Sequence, residues 1–593
     1  MGIKIKSKLI ICLFISFTVC ADYSIKTESG ITDGKLKNKV IYWYDIPYAQ
    51  PPVGELRWKA PREITNSDIN IIPRDDNFCV QKTSSLGGSA QLSSKNISGT
   101  EDCLYLDILA PKNKTSNSLP VMFWIHGGGN TSGLKDLYDF DKMASKHQVV
   151  IVRINYRLGP FGWFTHPAIQ DLQEGIDKTS NFGTLDIIAA LKWVKNNISL
   201  FGGDPNNVTI FGESAGGHNV YSLIASKKAD GLFHKAISMS GYTTSISTKD
   251  AYKQSKRSAT SDFTSWEVVE RLTNNNQSNL SKKEIRDMLL NMPATEFFEI
   301  YANRESYQEI PLLTADNIVI SEIGLRKSLS ETNLINNVPV IAGSNADEVK
   351  LWLATAEYFV DLDYSFLGSI FGIPKVVLNN EESFEAFNYY RSSAWKIRGV
   401  DYPLQSLSKA GNNELYSYRF DWDNHTKFIA GDFRKLIGAA HATEIPLLTG
   451  NAKLVDGFPL SLLIYPPSSS KRYLSKNMMS FWSNFAKYGS PGDSSNSVSW
   501  ERYNLEANIP NYLILDKKDN LKMSKGNLSF EMLSNELYKD NRVNEIEKCV
   551  ILLQMFTFVG DDIYDENIKE YPGACDRQEA EDFIIKNASF IEY

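Results

Sequence analysis

The sequence predicts an α/β fold in which a large, mostly parallel central sheet is covered by helices on both faces. Apolar runs bounded by turn residues alternate with helix-length segments, the pattern of strands buried on two sides. Two of these runs end in dense glycine clusters, "WIHGGGN" and "TIFGESAGG", where the chain must turn sharply rather than extend a strand or helix. Composition agrees: 42% hydrophobic, 12% aromatic and 22% charged residues supply a large core and argue against disorder. At 593 residues one big sheet or two smaller domains would both fit.

Taken in order, the first residues, "MGIKIKSKLIICLFISFTVCADY", place Lys4, Lys6 and Lys8 before an apolar run from Leu9 to Val19. This reads as a secretory signal over residues 1–21, cleaved near Ala21. A lipoprotein signal at Cys20 is disfavoured by the large Val19 before it. No later stretch reaches the roughly 18 apolar residues of a membrane span, so no transmembrane segment is expected and the location is secreted or periplasmic. Four cysteines remain, Cys79, Cys103, Cys549 and Cys575, an even number suited to two disulfides in an oxidising compartment. Three pairings are open, of which nearest-neighbour pairing is the simplest. N-x-S/T sequons fall at Asn96, Asn113, Asn130, Asn197, Asn207, Asn276, Asn279, Asn424, Asn527 and Asn587. A formal charge of -7 gives nucleic-acid binding no electrostatic support.

Buried strands are expected at 121–127, 149–156, 208–212, 235–241 and 338–344, with an amphipathic helix over 182–198. Residues 246–300 and 350–410 are richer in charge and helix formers and read as helical excursions rather than sheet. "SSLGGSAQLSS" and "YGSPGDSSNSVS" read as surface loops.

The strand over 208–212 runs straight into Gly212-Glu213-Ser214-Ala215-Gly216 and then a helix, so Ser214 occupies a G-x-S-x-G turn between strand and helix. That context exposes the hydroxyl at a helix head, where backbone N–H groups can hold developing negative charge. A serine nucleophile needs a base, an orienting acid and oxyanion donors. Backbone N–H groups of Gly128 and Gly129, from the triple glycine, and of Ala215 are the candidate donors. For the base, only His425 and His441 of the seven histidines follow any plausible acid in the order this turn implies. His425, in polar "WDNHTKF", reads as a surface residue, whereas His441 in "IGAAHATEIPLL" has small neighbours that leave room beside a site. His218 reads as a packed helix residue. "VPVIAGSNADEVK" offers Asp347 or Glu348 as the acid, and composition does not choose between them. No HExxH, EF-hand or CxxC motif asks for a metal, and no cofactor is expected.

Together "IPYAQPPVGELRWKAP", "EDCLYLDILAP", "WIHGGGN", "NYRLGPFGW", "FGGDPNNVTIFGESAGG", "GSNADEVK" and "GAAHATEI" resemble, in order, the type B carboxylesterase and cholinesterase-like family of α/β hydrolases. The resemblance spans roughly residues 24–550. It implies Ser214 as nucleophile, His441 as base, Glu348 rather than Asp347 as acid, the oxyanion donors named above and a Cys79–Cys103 disulfide. Cys549 matches a late family cysteine whose usual partner is missing here, which leaves Cys575 as the substitute. The expected organisation is a catalytic domain over 22–549, with residues 550–593, which extend past the resemblance, packed on it as a disulfide-tethered helical cap.

Two departures bear on the pocket: Asn130 replaces the usual aromatic after the triple glycine, and Val349 the usual glycine after the acid. A glycan on Asn130 would plug the site, so it is expected unmodified. No tryptophan lies between Cys79 and Cys103 to bind a quaternary ammonium, which argues against a choline-ester specialist. The expected function is hydrolysis of small-molecule carboxylic esters, with activity falling in acid near the ordinary histidine pKa of about 6.5 if the surroundings of the base shift it little. A catalytically silent adhesion or binding protein on the same fold is the alternative.

Overall fold

A computed structural model describes residues 23–64, 67–74, 76–83, 97–253, 264–302, 313–363, 375–428, 431–451, 461, 464–495, 498–505 and 511–587. The signal read at residues 1–21, the sequon at Asn96 and the whole "SSLGGSAQLSS" loop lie outside the described residues. Eleven strands form the main sheet: β1 (Lys35–Lys37), β2 (Val40–Pro47), β3 (Tyr105–Pro111), β4 (Leu119–Ile125), β5 (Val150–Ile154), β6 (Gly203–Glu213), β7 (Lys235–Met239), β8 (Val340–Asn345), β9 (Leu415–Phe420), β10 (Tyr512–Leu515) and β11 (Lys522–Ser524). Their order across the sheet is β11-β10-β9-β8-β7-β6-β4-β5-β3-β2-β1. From β5 to β10 every neighbouring pair is parallel, and the strands outside that stretch pair antiparallel.

Strand alternation divides the core between the two faces of the sheet. On β4, Val121, Phe123 and Ile125 point into one cluster, where Leu185, Ile188 and Leu191 of helix α1 (Phe182–Asn197) meet them. Met122 and Trp124 point to the other, against Met478, Phe481 and Phe485 on a later helix, Ser469–Tyr488. Both faces of β4 are therefore apolar, which is why its sequence is a run rather than an alternation.

Helix α2 (Ala215–Ile224) follows β6 after one residue. Further on, α3 (Glu381–Lys396) continues through a π turn, Ile397–Asp401, into α4 (Tyr402–Lys409). After α5 (Ser469–Tyr488), the last described part of the chain includes α6 (Glu545–Phe556), a two-stranded hairpin pairing Thr557–Phe558 with Asp561–Asp562, and α7 (Arg577–Lys586). A third apolar cluster joins these last elements to Ala215, Tyr242, Val349 and Trp395 of the sheet-bearing part. Cys79 is bonded to Cys103 and Cys549 to Cys575. Each closes a loop of moderate length, worth about 3 kcal/mol on loop-entropy grounds.

All five strands expected from the sequence lie in the main sheet, and α1 falls within the expected helix. The excursions at 246–300 and 350–410 are helical for most of their described length, with two departures. Ile246–Ser247 pairs with Thr314–Ala315, and Val360–Asp363 with Lys375–Leu378, as small ribbons.

Candidate active site

The turn after β6 is the pivot of the site. Ser214 adopts φ 58° and ψ -123°, a conformation that costs an L-residue strain and persists only where surrounding structure enforces it. The enforcement is visible. Ser214 N–H donates to Met239 O on β7 at 2.9 Å, and Ser214 O accepts from His218 N–H at 2.9 Å. A Cβ on Gly216 would lie 2.1 Å from Ile125 O, so only glycine lets α2 start so close to β4. Ser214 is half-buried, at the open end of a turn whose flanks are closed.

The triple glycine leaves β4 beside it. A Cβ on Gly127 would come within 3.1 Å of Ser214 Cβ and 2.7 Å of Glu213 O, which sets how tightly this loop hugs the serine. Gly128 and Gly129 follow with φ 99° and 64°, and Gly129 is exposed. The loop is tied back by hydrogen bonds from Thr131 N–H and Ser132 N–H to Gly128 O, both 3.0 Å. Among the described residues the N–H groups of Gly128 and Gly129 find no protein acceptor, and that of Ala215, first in α2, has no carbonyl one turn before it.

Asn130 is buried, turned inward and held in a left-handed conformation with φ 59°, which asparagine tolerates better than most residues. Its Oδ1 accepts from Asn219 Nδ2 at 2.8 Å and lies 3.2 Å from the Tyr156 hydroxyl. The amide thus clasps the glycine loop to α2, the helix whose first N–H is that of Ala215, rather than forming a new pocket wall.

Two strands across from β6, and parallel to it, β8 ends in the loop that carries both candidate acids. Glu348 is fully buried; its Oε2 lies 2.7 Å from His441 Nδ1 and its Oε1 accepts from Asn345 N–H at 2.7 Å. Asp347 instead accepts from Asn388 Nδ2 at 2.6 Å and from Ala439 N–H at 2.9 Å, fastening the histidine loop without touching the ring. Backbone bonds reinforce the pairing, with His441 N–H on Glu348 O and Asp347 N–H on Ala439 O. Val349 is buried in the third cluster, its N–H 3.3 Å from Ser392 Oγ, so no glycine is needed there. Trp352 and Trp395 lie with ring centroids 5.2 and 4.7 Å from the imidazole.

The other imidazole nitrogen, Nε2, faces the turn bearing Ser214. It lies 3.1 Å from Oε1 of Glu213, the residue before the serine, at an angle that leaves Oε1 without a hydrogen bond. The Ser214 hydroxyl makes no side-chain hydrogen bond among the described residues. Burial alone would push His441 down, but Glu213 and Glu348 outweigh it and raise the group to about 9. Burial, with Glu348 nearby, raises Glu213 in turn to about 7. Glu444, pushed up to about 8 by burial and then by Glu213, is bonded to Asn345 Nδ2 at 2.6 Å. The condition for an ordinary histidine pKa, surroundings that shift it little, is not met here, because two carboxylates face the ring.

His425 also differs from its reading as a surface residue. It is buried, with Nδ1 2.5 Å from Ile464 O, Nε2 2.6 Å from Gly438 O, and Trp422 against the ring. Polar neighbours in sequence concealed apolar neighbours in space. His218 is buried in α2 and stacks on Tyr242, and burial lowers its pKa to about 4. Among the described residues no group of three or more His, Cys, Asp or Glu could hold a metal ion, and no helix is long and apolar enough to cross a membrane.

Sequence reasoning passed over Glu213, Asn219, Glu444 and the two tryptophans. Glu213 and Glu444 stood inside motifs read for other residues, one beside Ser214 and one three positions after His441. Nothing in the sequence marks Trp352 or Trp395 as neighbours of the ring.

The sequence profile of the carboxylesterase family matches residues 21–371 and 376–532. The chain belongs to the carboxylesterase family. This carboxylesterase is 32% identical over 506 residues to the para-nitrobenzyl esterase of Bacillus subtilis, covering 83% of this chain and 95% of that one. It is 30% identical over 525 residues to liver carboxylesterase 1F of Rattus norvegicus, with 80% and 89% covered. A fatty acyl-CoA hydrolase of Anas platyrhynchos is 30% identical over 571 residues, with 88% and 92% covered. Among solved structures, a PNB esterase superposes with TM-score 0.62 at 27% identity over 85% of this chain and 97% of that one. The Geobacillus stearothermophilus carboxylesterase EST55 gives 0.62 at 26% identity, with 83% and 96% covered. The fold is that of the α/β-hydrolase esterases, and the protein is a carboxylic ester hydrolase.

Proposed function

We propose that this carboxylesterase works through Ser214, His441 and Glu348 by way of an acyl-enzyme. Ser214 Oγ bonds to the ester carbonyl carbon while its proton passes to His441 Nε2, and the carbonyl oxygen becomes an oxyanion received by the N–H groups of Gly128, Gly129 and Ala215. The intermediate collapses, the carbon–alkoxy bond breaks, and the alcohol leaves with the proton from Nε2. Water then repeats the sequence on the acyl-serine, giving its proton to His441 and releasing the carboxylic acid and the free hydroxyl. Glu348 holds Nδ1–H and balances the charge on the imidazolium.

The observation that carries this reading is the 2.7 Å contact between Glu348 Oε2 and His441 Nδ1, which turns Nε2 toward the strained turn of Ser214. Catalytic hydrogen bonds to a nucleophile are often long before substrate is bound, so the unpaired serine hydroxyl is compatible with it. Labelling with a fluorophosphonate probe and turnover of p-nitrophenyl esters of graded acyl length provide the test, with a p-nitrobenzyl ester added because a relative's name points to it. Both signals should vanish in Ser214→Ala; labelling that survives this substitution would overturn the assignment.

The leader over residues 1–21 and the two disulfides support export to an oxidising compartment, secreted or periplasmic. Residues 22–549 are read as the catalytic domain and 550–593 as its extension, supported by a family match that ends at residue 532 and by the shared third cluster.

A further inference from the structure

The chain beyond the family match has had no chemistry assigned to it, yet it reaches the back of the imidazole. Phe558, in the first strand of the C-terminal hairpin, is 6% exposed. Its ring meets Trp395 nearly edge-on, centroids 4.7 Å apart and planes at 67°, and meets Tyr242 at 5.6 Å and 80°. Trp395 lies 4.7 Å from the His441 ring, stacks at 5.8 Å on Trp352, and donates from Nε1 to Ser240 O at 3.1 Å. Edge-to-face packing of this kind adds orientation to plain apolar contact.

The hairpin is fixed from the scaffold side. Arg398, buried in the π turn, donates to Met555 O at the end of α6, lies 3.4 Å from Asp561 Oδ2 across the hairpin, and sets its guanidinium 5.9 Å from the Phe558 ring. Arg326 reaches the same Asp561 carboxylate at 3.5 Å. The Cys549–Cys575 bond then ties α6 to the segment entering α7. Phe558 is thus held from three directions, and its free edge is spent on Trp395.

We propose that Phe558 is a positioning residue for ester hydrolysis: the C-terminal hairpin presses it against Trp395, which in turn holds the face of the His441 imidazole while Glu348 holds its edge. This inference rests on the reading of His441 as the base. Phe558 touches neither substrate nor reacting atom in this role; it limits the tilt of the ring that must meet the serine hydroxyl. Removing it leaves the Glu348 contact in place and frees the tryptophan to move, so the loss falls on turnover rather than on substrate affinity.

The test compares Phe558→Ala, Phe558→Leu, Ile584→Ala and His441→Ala in the full oxidised chain, reading kcat, KM and thermal midpoint. Ile584 is buried in the same extension, on α7, and supplies the control for general loosening. Phe558→Ala should lower kcat by roughly 10- to 100-fold with KM within about threefold of wild type, the scale expected when a reacting group is misplaced by about 1 Å. Phe558→Leu should fall between, and it alone is read if the alanine variant does not fold. Ile584→Ala should lower the midpoint and leave kcat within about twofold. The proposal is overturned if the folded Phe558 variants keep wild-type kcat, or if Ile584→Ala loses as much turnover as they do. An active His441→Ala would instead remove the base assignment itself, whereas an inert His441→Ala beside a fully active Phe558→Ala would remove this inference alone.

Discussion

The two halves of the site are built from different materials. On the β4–β6 side, the serine turn and the glycine loop are shaped by backbone: positive φ angles, main-chain hydrogen bonds and approaches that a single Cβ would block. On the β8 side, side chains are added to the main-chain bonds around Glu348 and His441: Asn345 Nδ2 donates to Ala440 O, Asn388 Nδ2 to Asp347, and two tryptophans lie against the ring, one of them backed by a phenylalanine from the C-terminal hairpin. A backbone-built half must be pre-formed because its donors cannot move independently. A side-chain-built half can be tuned, and each member tested singly.

The comparison is broken most severely by Glu348→Gln. Loss of the anion beside Nδ1 should lower kcat by about 10⁴-fold with the fold intact, as for the equivalent change in serine proteases; circular dichroism and steady-state kinetics check both parts. Next in size is the backbone half. Gly127→Ala forces a methyl to within 3.1 Å of Ser214 Cβ, and kcat/KM on a p-nitrophenyl ester should fall by about 100-fold. Asn219→Ala unfastens the glycine loop from α2 and should lower kcat by about 10-fold with KM little changed; equal losses in Asn130→Ala and in the double variant would show that the pair acts as one unit.

The smallest effect is on pH dependence. Turnover needs a neutral imidazole, so kcat/KM falls as pH drops through the His441 pKa. Glu213 and Glu348 raise that pKa to about 9, against burial, so the acid limb should lie above 6.5. Glu213→Gln removes one raising charge and should move the limb to lower pH. A pH–rate profile that does not shift would show that Glu213 is already neutral over the working range.

The same contrast explains what could be read from sequence. The central strands, α1 and the glycine-framed Ser214 were legible because burial on both faces and glycine at forced positions leave local marks. Strands β3 and β9 were not marked in this way. Asp107 in β3 is buried against Lys135 and Arg153, and "LYSYRF" mixes polar and aromatic residues, so neither reads as an apolar run. His425 was misplaced because, besides the nearby Trp422, it is enclosed by Tyr465 and by the carbonyls of Gly438 and Ile464, all contributed by later segments. Glu213 and Glu444 gain their importance only when β6 and the histidine loop meet, and Phe558 only when residues from three distant stretches converge on one ring. Pairings of that kind leave no periodicity behind.

The inward-facing Asn130 carries a consequence for biosynthesis. It begins an N-x-S/T tripeptide, and its side chain is buried in the fold, with Oδ1 held by Asn219 Nδ2. In a host that attaches oligosaccharides to nascent chains, transfer to the amide nitrogen and burial of the same side chain compete. A molecule sugared there first can never close the loop over α2, so the share of active enzyme would record which process won, and Ser132→Ala, which removes the acceptor pattern, would raise it.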